Sequence, residues 1–442
     1  MNDAIKKAKA KDRRDTAAYL YIIAGVFALM LVMRDCYSIP ISKYIFLILT
    51  AVAVMALDIR KVLCLICFLM PLYVGLPGNY ISIIFVLRFL CEYKKIRFTH
   101  TRLLSALAIC AFMFVQNVVM YSTSVYNMIF IVEVFLILLI FSYSGDYDKK
   151  NMLFMFALGV ASTGFIMLVS TLQEHGLSDL LLSTARLGTN AVTYGETNAM
   201  KVNVDPNYYG LFTLASLSIC FPMFFDRYFS KTKKFYLLIA LTTSLFVCLI
   251  GLSRAFVLVL ALWSALIIVT QKGPKSFVKT ALVIGLAVVL IQVLLPDITQ
   301  GLLTRFAEND METGNGRLTI ISRFYGLWST NLITIFLGVG MFACNVHCMQ
   351  LQYLFGGGIV FSIFILMFAV ALISPLKRKY NKICFQSYIP MITVFLMSAT
   401  VPIATSLTFM FPCILTIVEF DYINEVRVER VPTMSDKRRV NK

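Results

Sequence analysis

The chain has 442 residues, of which 59% are hydrophobic and only 14% are charged. Soluble domains contain about 45–50% apolar and about 25% charged residues, so this composition excludes an ordinary soluble protein. The mean hydropathy of +0.82 supports the same exclusion, and lipid must be the solvent for most of the chain. The 40 Lys and Arg residues outnumber the 23 Asp and Glu residues. In a membrane protein this excess predicts orientation rather than a nucleic-acid partner.

Apolar runs between charged residues predict the membrane crossings. A spanning helix needs about 20 apolar residues, with about 17 as the practical lower limit. Up to fourteen runs approach that length, from 17–33 to 403–419. The pair 62–76 and 79–92 is short enough to be re-entrant, and so is the last pair, which begins with 387–402. The sequence therefore predicts an all-α polytopic membrane protein with 12–14 transmembrane helices.

Basic residues predict the orientation, because Lys and Arg near span ends stay on the cytoplasmic side. If the N-terminus is inside, the cytoplasmic segments hold 31 of the 40 basic residues and the outer segments hold eight. The remaining one, Arg88, lies near the inner end of its run and can snorkel. We therefore expect both termini to be cytoplasmic and the number of crossings to be even.

Two long outer loops interrupt the predicted spans. Long loops in compact proteins are usually functional, and we expect short interfacial helices within these two. The predicted regions are an N-terminal transmembrane half at 1–171, a first outer loop at 172–205, central transmembrane helices at 206–295, a second outer loop at 296–353, C-terminal transmembrane helices at 354–419 and a cytoplasmic basic tail at 420–442.

The first outer loop ends in the motif D-P-N-Y-Y-G at 205–210. Asp205 is predicted to cap a helix whose first residue is Pro206, because Asp accepts the free N–H groups and Pro is tolerated at that position. The same helix start, with Asn207, can alternatively bind a substrate phosphate.

The motif G-L-S-R-A at 251–255 breaks an apolar stretch that is too long for one span. Ser253 and Arg254 are therefore predicted to lie at an outer hairpin tip. An isolated Arg at membrane depth is costly. Arg254 can snorkel to lipid head groups or bind substrate, and we favour binding because no other charge surrounds it.

The second outer loop contains Arg305, Arg317 and Arg323. Apolar residues with Trp328 dominate 317–334, which predicts a helix lying at the membrane interface. The acidic residues at 308–312 can hold a metal or form a solvated turn, and we favour the turn. No metal or other cofactor is therefore expected.

Three titratable residues are candidates for general-base chemistry. His347 lies just outside a predicted span and is either a packing residue or a base. Glu133 lies about two turns inside its apolar run, and an intramembrane carboxylate is a functional candidate by default. It can instead pair with an arginine such as Arg254. Glu196 lies in the first outer loop.

In their order along the chain these motifs resemble the O-antigen polymerase and O-antigen ligase superfamily of bacterial envelope polysaccharide proteins. The matching landmarks are D-P-N-Y-Y-G at 205–210, G-L-S-R-A at 251–255, G-R at 316–317 with Trp328 downstream, L-G-V-G at 337–340, and His347 followed by Leu351, Leu354 and Gly358. They cover about 186–360. The sequence departs from the family pattern at Cys348 and Gly356, which weighs against the ligase branch.

The resemblance implies a metal-independent, membrane-embedded glycosyltransferase of GT-C-like type that uses polyprenyl-pyrophosphate-linked sugars on the outer face. It implies that Arg254 and Arg317 contact the pyrophosphate and that His347 lies in the reaction zone. Arg186, in A-R-L-G, matches a loop arginine more loosely.

Arginine suits a pyrophosphate, since its planar fork binds phosphate oxygens in pairs and keeps its charge. We therefore expect an acceptor hydroxyl to attack the anomeric carbon of the donor, with His347, Glu196 or Glu133 as base. Five outer arginines and three polar residues are the predicted substrate contacts: Arg186, Arg254, Arg305, Arg317, Arg323, Asp205, Asn207 and Ser253.

Three functions remain open from the sequence. A polymerase of capsule, O-antigen or exopolysaccharide repeat units is favoured, with a ligase of finished glycan as the alternative. A flippase of lipid-linked oligosaccharide is a third, but it should have short loops and many charges inside its spans. The predicted location is the bacterial cytoplasmic membrane with an outer-face active site. The predicted partners are the lipid-linked glycan, the bilayer, and a flippase and chain-length regulator of the same pathway.

Overall fold

The fold is known from a computed structural model. It describes residues 2–119, 125–181, 202, 204–226, 229–271, 273–307, 317–380, 383–401 and 407–430. Within these ranges the secondary structure is helical and contains no named β-strand.

Seventeen α-helices are present in the described ranges. They are α1 (Asn2–Asp35), α2 (Lys43–Ala56), α3 (Ile59–Leu69), α4 (Gly78–Cys91), α5 (His100–Val119), α6 (Val125–Ser142), α7 (Lys149–Leu181), α8 (Pro206–Cys220), α9 (Lys231–Ile250), α10 (Arg254–Val269), α11 (Pro274–Leu294), α12 (Pro296–Ala307), α13 (Arg317–Trp328), α14 (Leu332–Leu337), α15 (Met349–Lys379), α16 (Ile389–Ser398) and α17 (Leu407–Arg430). Short 3-10 turns extend α3, α4 and α8 and precede α16.

Seven of these helices are long and apolar enough to cross a membrane, and five segments of 10–17 residues are also apolar. The prediction of an all-α, multi-pass membrane protein is confirmed at this level. The number of crossings, the cytoplasmic termini, the two outer loops and the GT-C likeness stay predictions. The second predicted loop does contain the three short helices α12, α13 and α14.

Burial differs sharply between helices of similar apolar composition. In α3 every residue from Val62 to Leu69 is buried, whereas none is buried in α11. Leu282, Leu286 and Val293 on α11 are each at least 60% exposed. In water such a surface would drive aggregation, so α11 fits a lipid environment. The buried helices α3, α7 and α8 form the centre of the bundle.

Ion pairs join several helices at the end of the bundle where α7 begins and α15 ends. Lys149 pairs with Asp421 and Glu425 of α17. Lys379 Nζ lies 3.0 Å from Asp421 Oδ1, so one carboxylate links three helices. Lys150 Nζ lies 2.8 Å from a carboxylate oxygen of Asp226.

Helix α15 is broken at Gly358, where φ is +72° and ψ is −178°. This backbone region is open essentially only to glycine. Such a break leaves carbonyls of the preceding turn without intrahelical donors. The segment after α14 runs alongside the break and supplies them. Val339 N donates to Phe355 O at 2.8 Å, and Gly340 N donates to Gly356 O at 3.0 Å.

Gln116 of α5 completes this backbone network. Its Nε2 donates to Leu337 O at 2.6 Å and to Gly356 O at 2.8 Å. Its Oε1 accepts from Met341 N at 3.3 Å. Gln116 is 2% exposed, so both ends of one buried amide hold the loop 337–341 against the break. The sequence reasoning missed Gln116, although the two adjacent amides Gln116 and Asn117 within an apolar run are a recognisable signal.

A substitution at Gly338 can test how tightly the loop 337–341 packs against the break in α15. A Cβ added to Gly338 would lie 2.2 Å from Gly356 O, and its φ is +78°. We therefore expect Gly338→Ala to destabilise the protein by about 2–5 kcal/mol, from left-handed strain and overpacking together. Gly326→Ala is the matched control, because nothing lies within 4 Å of its added Cβ. Thermal unfolding in detergent should show a lower midpoint for Gly338→Ala only, and equal midpoints would contradict the packing described.

Candidate functional site

Helix α8 begins with a capped turn, as the sequence predicted. Asp205 is the N-cap, its Oδ1 accepts from Asn207 N at 2.8 Å, and Pro206 is the first helical residue. The capping role of Asp205 is therefore confirmed. Asp205 is exposed, so its charge also contributes to the potential around this helix start.

A tight turn separates α9 from α10 at the predicted break. Leu252 adopts φ +51° and is 4% exposed. A left-handed conformation costs a non-glycine residue about 1–2 kcal/mol, so surrounding packing must hold it. The turn makes Ser253 the N-cap of α10, and Ser253 Oγ accepts from Phe256 N at 3.3 Å. Arg254 is consequently the first residue of α10 and is half-buried.

The two helix starts are joined directly. Ser253 Oγ donates to Asn207 Oδ1 at 2.8 Å. Pro206 packs behind the turn, with its Cβ 3.4 Å from a Cβ built on Gly251. The motifs at 205–210 and 251–255 therefore form one structural unit, with two helix N-termini side by side. Helix N-termini carry partial positive charge, which favours nearby anions.

His347 lies in the segment between α14 and α15, and its side chain is exposed. Partial loss of solvent around the imidazole lowers the pKa of His347 from its usual 6.5, and the positive charge of Arg317 lowers it further. The carboxylate of Asp205 raises this pKa. Arg317 and Asp205 are therefore both within electrostatic reach of His347, and the lowered pKa favours the unprotonated imidazole at pH 7.

Aromatic packing holds the C-terminal end of α13, the helix whose first residue is Arg317. Trp328 Nε1 donates to Ile335 O at 3.2 Å, and the Trp328 and Phe355 rings lie 5.6 Å apart. Arg323 is exposed on the same helix. Six residues separate Arg317 from Arg323, which places them about 120° apart around the helix. The two arginines therefore do not share one face.

A buried ion pair at the end of α1 anchors the chain before α8. Arg34 Nε lies 2.5 Å from Asp35 Oδ1, and Arg34 Nη1 donates to Gly75 O at 2.7 Å. Asp35 Oδ2 accepts from Val202 N at 2.8 Å. Arg34 and Asp35 are 4% and 2% exposed. The pair therefore holds a residue three positions before Asp205, a positioning role that sequence reasoning missed.

Glu133 of α6 contacts the start of α17. Its Oε2 accepts from Leu407 N, the first residue of α17, at 2.9 Å. It is 2% exposed. This contact supports a capping role for Glu133, and its predicted part in catalysis stays a prediction.

Several predicted site residues cannot be placed. Arg186, Glu196 and the acidic residues at 308–312 lie outside the described residues. Arg305 belongs to α12, but its side chain is also outside them. Within the described part of the chain, no group of three or more His, Cys, Asp or Glu side chains is arranged to hold a metal.

The described site thus combines two capped helix starts, two arginines and a neutral imidazole. The arginines can bind an anion, and an unprotonated imidazole can accept a proton. No protein-family model matches this chain, and no curated protein matches it.

The energy of the hydrogen bond between Ser253 and Asn207, which joins the starts of α8 and α10, can be measured by a double-mutant cycle. Ser253→Ala removes a helix cap as well as the contact to Asn207, so it should destabilise by about 1–2 kcal/mol. Asn207→Ala removes only one partner of the contact. We expect a coupling energy of about 1 kcal/mol from unfolding of both single variants and the double variant. Strict additivity of the two substitutions would contradict the hydrogen bond.

The electrostatic neighbourhood of His347 can be tested by NMR titration. The chain has only three His residues, so His347→Gln assigns the signal. The wild-type pKa should lie below 6.5. Arg317→Gln removes a lowering influence and should raise the pKa, whereas Asp205→Asn removes a raising influence, keeps a capping side chain and should lower it. Shifts in the reverse directions would refute this arrangement, and Asp297→Asn on α12 serves as the charge control.

Proposed function

We propose that this chain is a metal-independent glycosyltransferase that polymerises polyprenyl-pyrophosphate-linked oligosaccharide repeat units. The location we propose is the outer face of the bacterial cytoplasmic membrane. The observation that carries the proposal is the direct joint between the two helix starts, which places Asp205 and Asn207 beside the turn that presents Arg254. Arg317 and Asp205 both act electrostatically on His347. A polysaccharide flippase and a chain-length regulator are the proposed protein partners.

The proposed reaction is a displacement at the anomeric carbon of the lipid-linked donor. The acceptor hydroxyl forms the new glycosidic bond while the bond to the pyrophosphate oxygen breaks. The pyrophosphate carrier leaves with the bonding electrons. Arg254 and Arg317 stabilise that growing negative charge, and each charge-assisted hydrogen bond contributes about 1.5–3 kcal/mol.

The acceptor hydroxyl must lose its proton during this step. His347 is the proposed base because its lowered pKa keeps the imidazole neutral near pH 7. Arg317 therefore has two proposed roles, since it binds the leaving group and helps to keep the base unprotonated.

The negative charge of Asp205 affects where in the site a phosphate can bind. Its carboxylate already caps α8 and would repel a phosphate placed on that helix start. The pyrophosphate is therefore assigned to the side of Arg254 and Arg317. Asn207 is half-buried and bonded to Ser253, so its proposed role is to hold the turn that presents Arg254.

Arg317→Lys is the sharpest test of the leaving-group assignment. The substitution keeps the positive charge but loses the bidentate contact, so we expect most polymer formation to disappear. Arg97→Lys, at an exposed arginine between α4 and α5, is the matched control. Surface glycan would be compared by gel electrophoresis after confirming equal protein levels, and normal-length polysaccharide in Arg317→Lys would refute the assignment.

The same gel on a deletion strain separates the proposed function from its alternatives. Single repeat units on the carrier or at the surface indicate a missing polymerase. Long polymer retained on the lipid carrier indicates a missing ligase. Intermediates trapped inside the cell indicate a missing flippase, and either of the last two patterns overturns the polymerase proposal.

A further inference from the structure

A cavity of about 630 Å³ lies between α10, α11 and the turn before α16. Its volume falls within the range of about 300–1,000 Å³ that small-molecule sites occupy. The apolar wall includes Phe221, Trp263, Ile267 and Ile284. Because α11 has no buried residue, this wall is continuous with the surface that faces lipid. An acyl chain can therefore enter from the side.

Trp263 provides an unsatisfied polar group inside this apolar wall. Its side chain is 6% exposed, and its indole Nε1 has no hydrogen-bond partner among the described residues. The Phe221 and Trp263 rings pack edge to face, with their centroids 5.6 Å apart. Trp263 therefore contributes an aromatic ring to the wall, which an acyl chain can contact.

Polar and basic residues also line the cavity. Gln271, Ser276 and Lys279 contribute to its lining, and Ser276 Oγ donates to Gln271 Oε1 at 3.1 Å. Lys279 is exposed on the first turns of α11. On the opposite wall Tyr422 donates to Asp226, whose carboxylate is paired with Lys150. That acidic group is therefore compensated and does not repel an anion at Lys279.

Trp263 and Lys279 lie at similar distances along their helices from the hairpin that joins α10 to α11. One amphipathic ligand could therefore contact both residues. Trp263 lies six residues before the end of α10, and Lys279 lies five residues after the start of α11. With a rise of about 1.5 Å per residue, both are roughly 8–9 Å from the hairpin that joins the helices. The hairpin belongs to the predicted cytoplasmic side, where membranes carry anionic lipids.

We propose that this cavity binds one anionic glycerophospholipid of the cytoplasmic leaflet. Its phosphate lies at Lys279, and an acyl chain packs against the Trp263 ring along the wall between α10 and α11. Basic pockets between transmembrane helices on the cytoplasmic side bind anionic head groups by the same electrostatics. This lipid site is distinct from the candidate functional site, and the proposal does not depend on the proposed glycosyltransferase activity.

Tryptophan fluorescence can test this proposal, because the chain contains only Trp263 and Trp328. The Trp328→Phe variant would be placed in nanodiscs that contain phosphatidylglycerol or phosphatidylcholine with brominated acyl chains, since bromine quenches indole on contact. We expect phosphatidylglycerol to quench Trp263 at about fivefold lower mole fraction. This factor corresponds to the about 1 kcal/mol that a basic residue contributes toward an anionic lipid.

Two lysines of the same helix provide the matched comparison. Lys279→Gln should abolish the preference for phosphatidylglycerol, whereas Lys275→Gln should retain it, because Lys275 is exposed but does not line the cavity. If Trp328→Phe does not fold, the difference in quenching between wild type and Trp263→Phe gives the same quantity. Equal quenching by both lipids, absence of quenching at Trp263, or equal effects of the two lysine substitutions would overturn the proposal.

Discussion

A peptide group in lipid has no water to bind, so any break in a spanning helix needs a protein partner. The described structure depends on this constraint where α15 breaks at Gly358. The freed carbonyls accept from the loop 337–341 and from Gln116. This loop leads directly to His347. The loop that precedes the candidate base is therefore held by a buried amide from α5, which lies in the other half of the chain.

The same requirement governs the helix starts around the candidate site. The Asp205 side chain satisfies one amide in the first turn of α8, Asn207 N, and the Ser253 side chain satisfies one in α10, Phe256 N. Asn207 then joins the two caps. Because the Asp205 carboxylate repels an anion at the start of α8, we propose that guanidinium groups supply the anion contacts. This is why the proposed pyrophosphate contacts are Arg254 and Arg317 rather than the helix ends themselves.

Sequence reasoning worked where the cause of a feature is local. The cap at Asp205 follows from residues adjacent in the chain, and so does the break before Arg254. It was weaker for Glu133, because an intramembrane carboxylate can be catalytic or structural and only its neighbour decides. That neighbour is Leu407 N, 274 residues away. The sequence likewise showed no sign of the role of Arg34 and Asp35, because that role depends on their hydrogen bonds to Gly75 and Val202, which are distant in the chain.

The sequence by itself determined that lipid is the solvent, that the chain is helical and where many helices begin. Composition, charge placement and capping residues act through solvent or through immediate neighbours, so they can be read along the chain. Only the tertiary structure decided which apolar helix is central and which faces lipid, as α3 and α11 show. The sequence of a helix that is apolar on all sides does not show what it packs against, because lipid tails and protein interiors both favour apolar side chains.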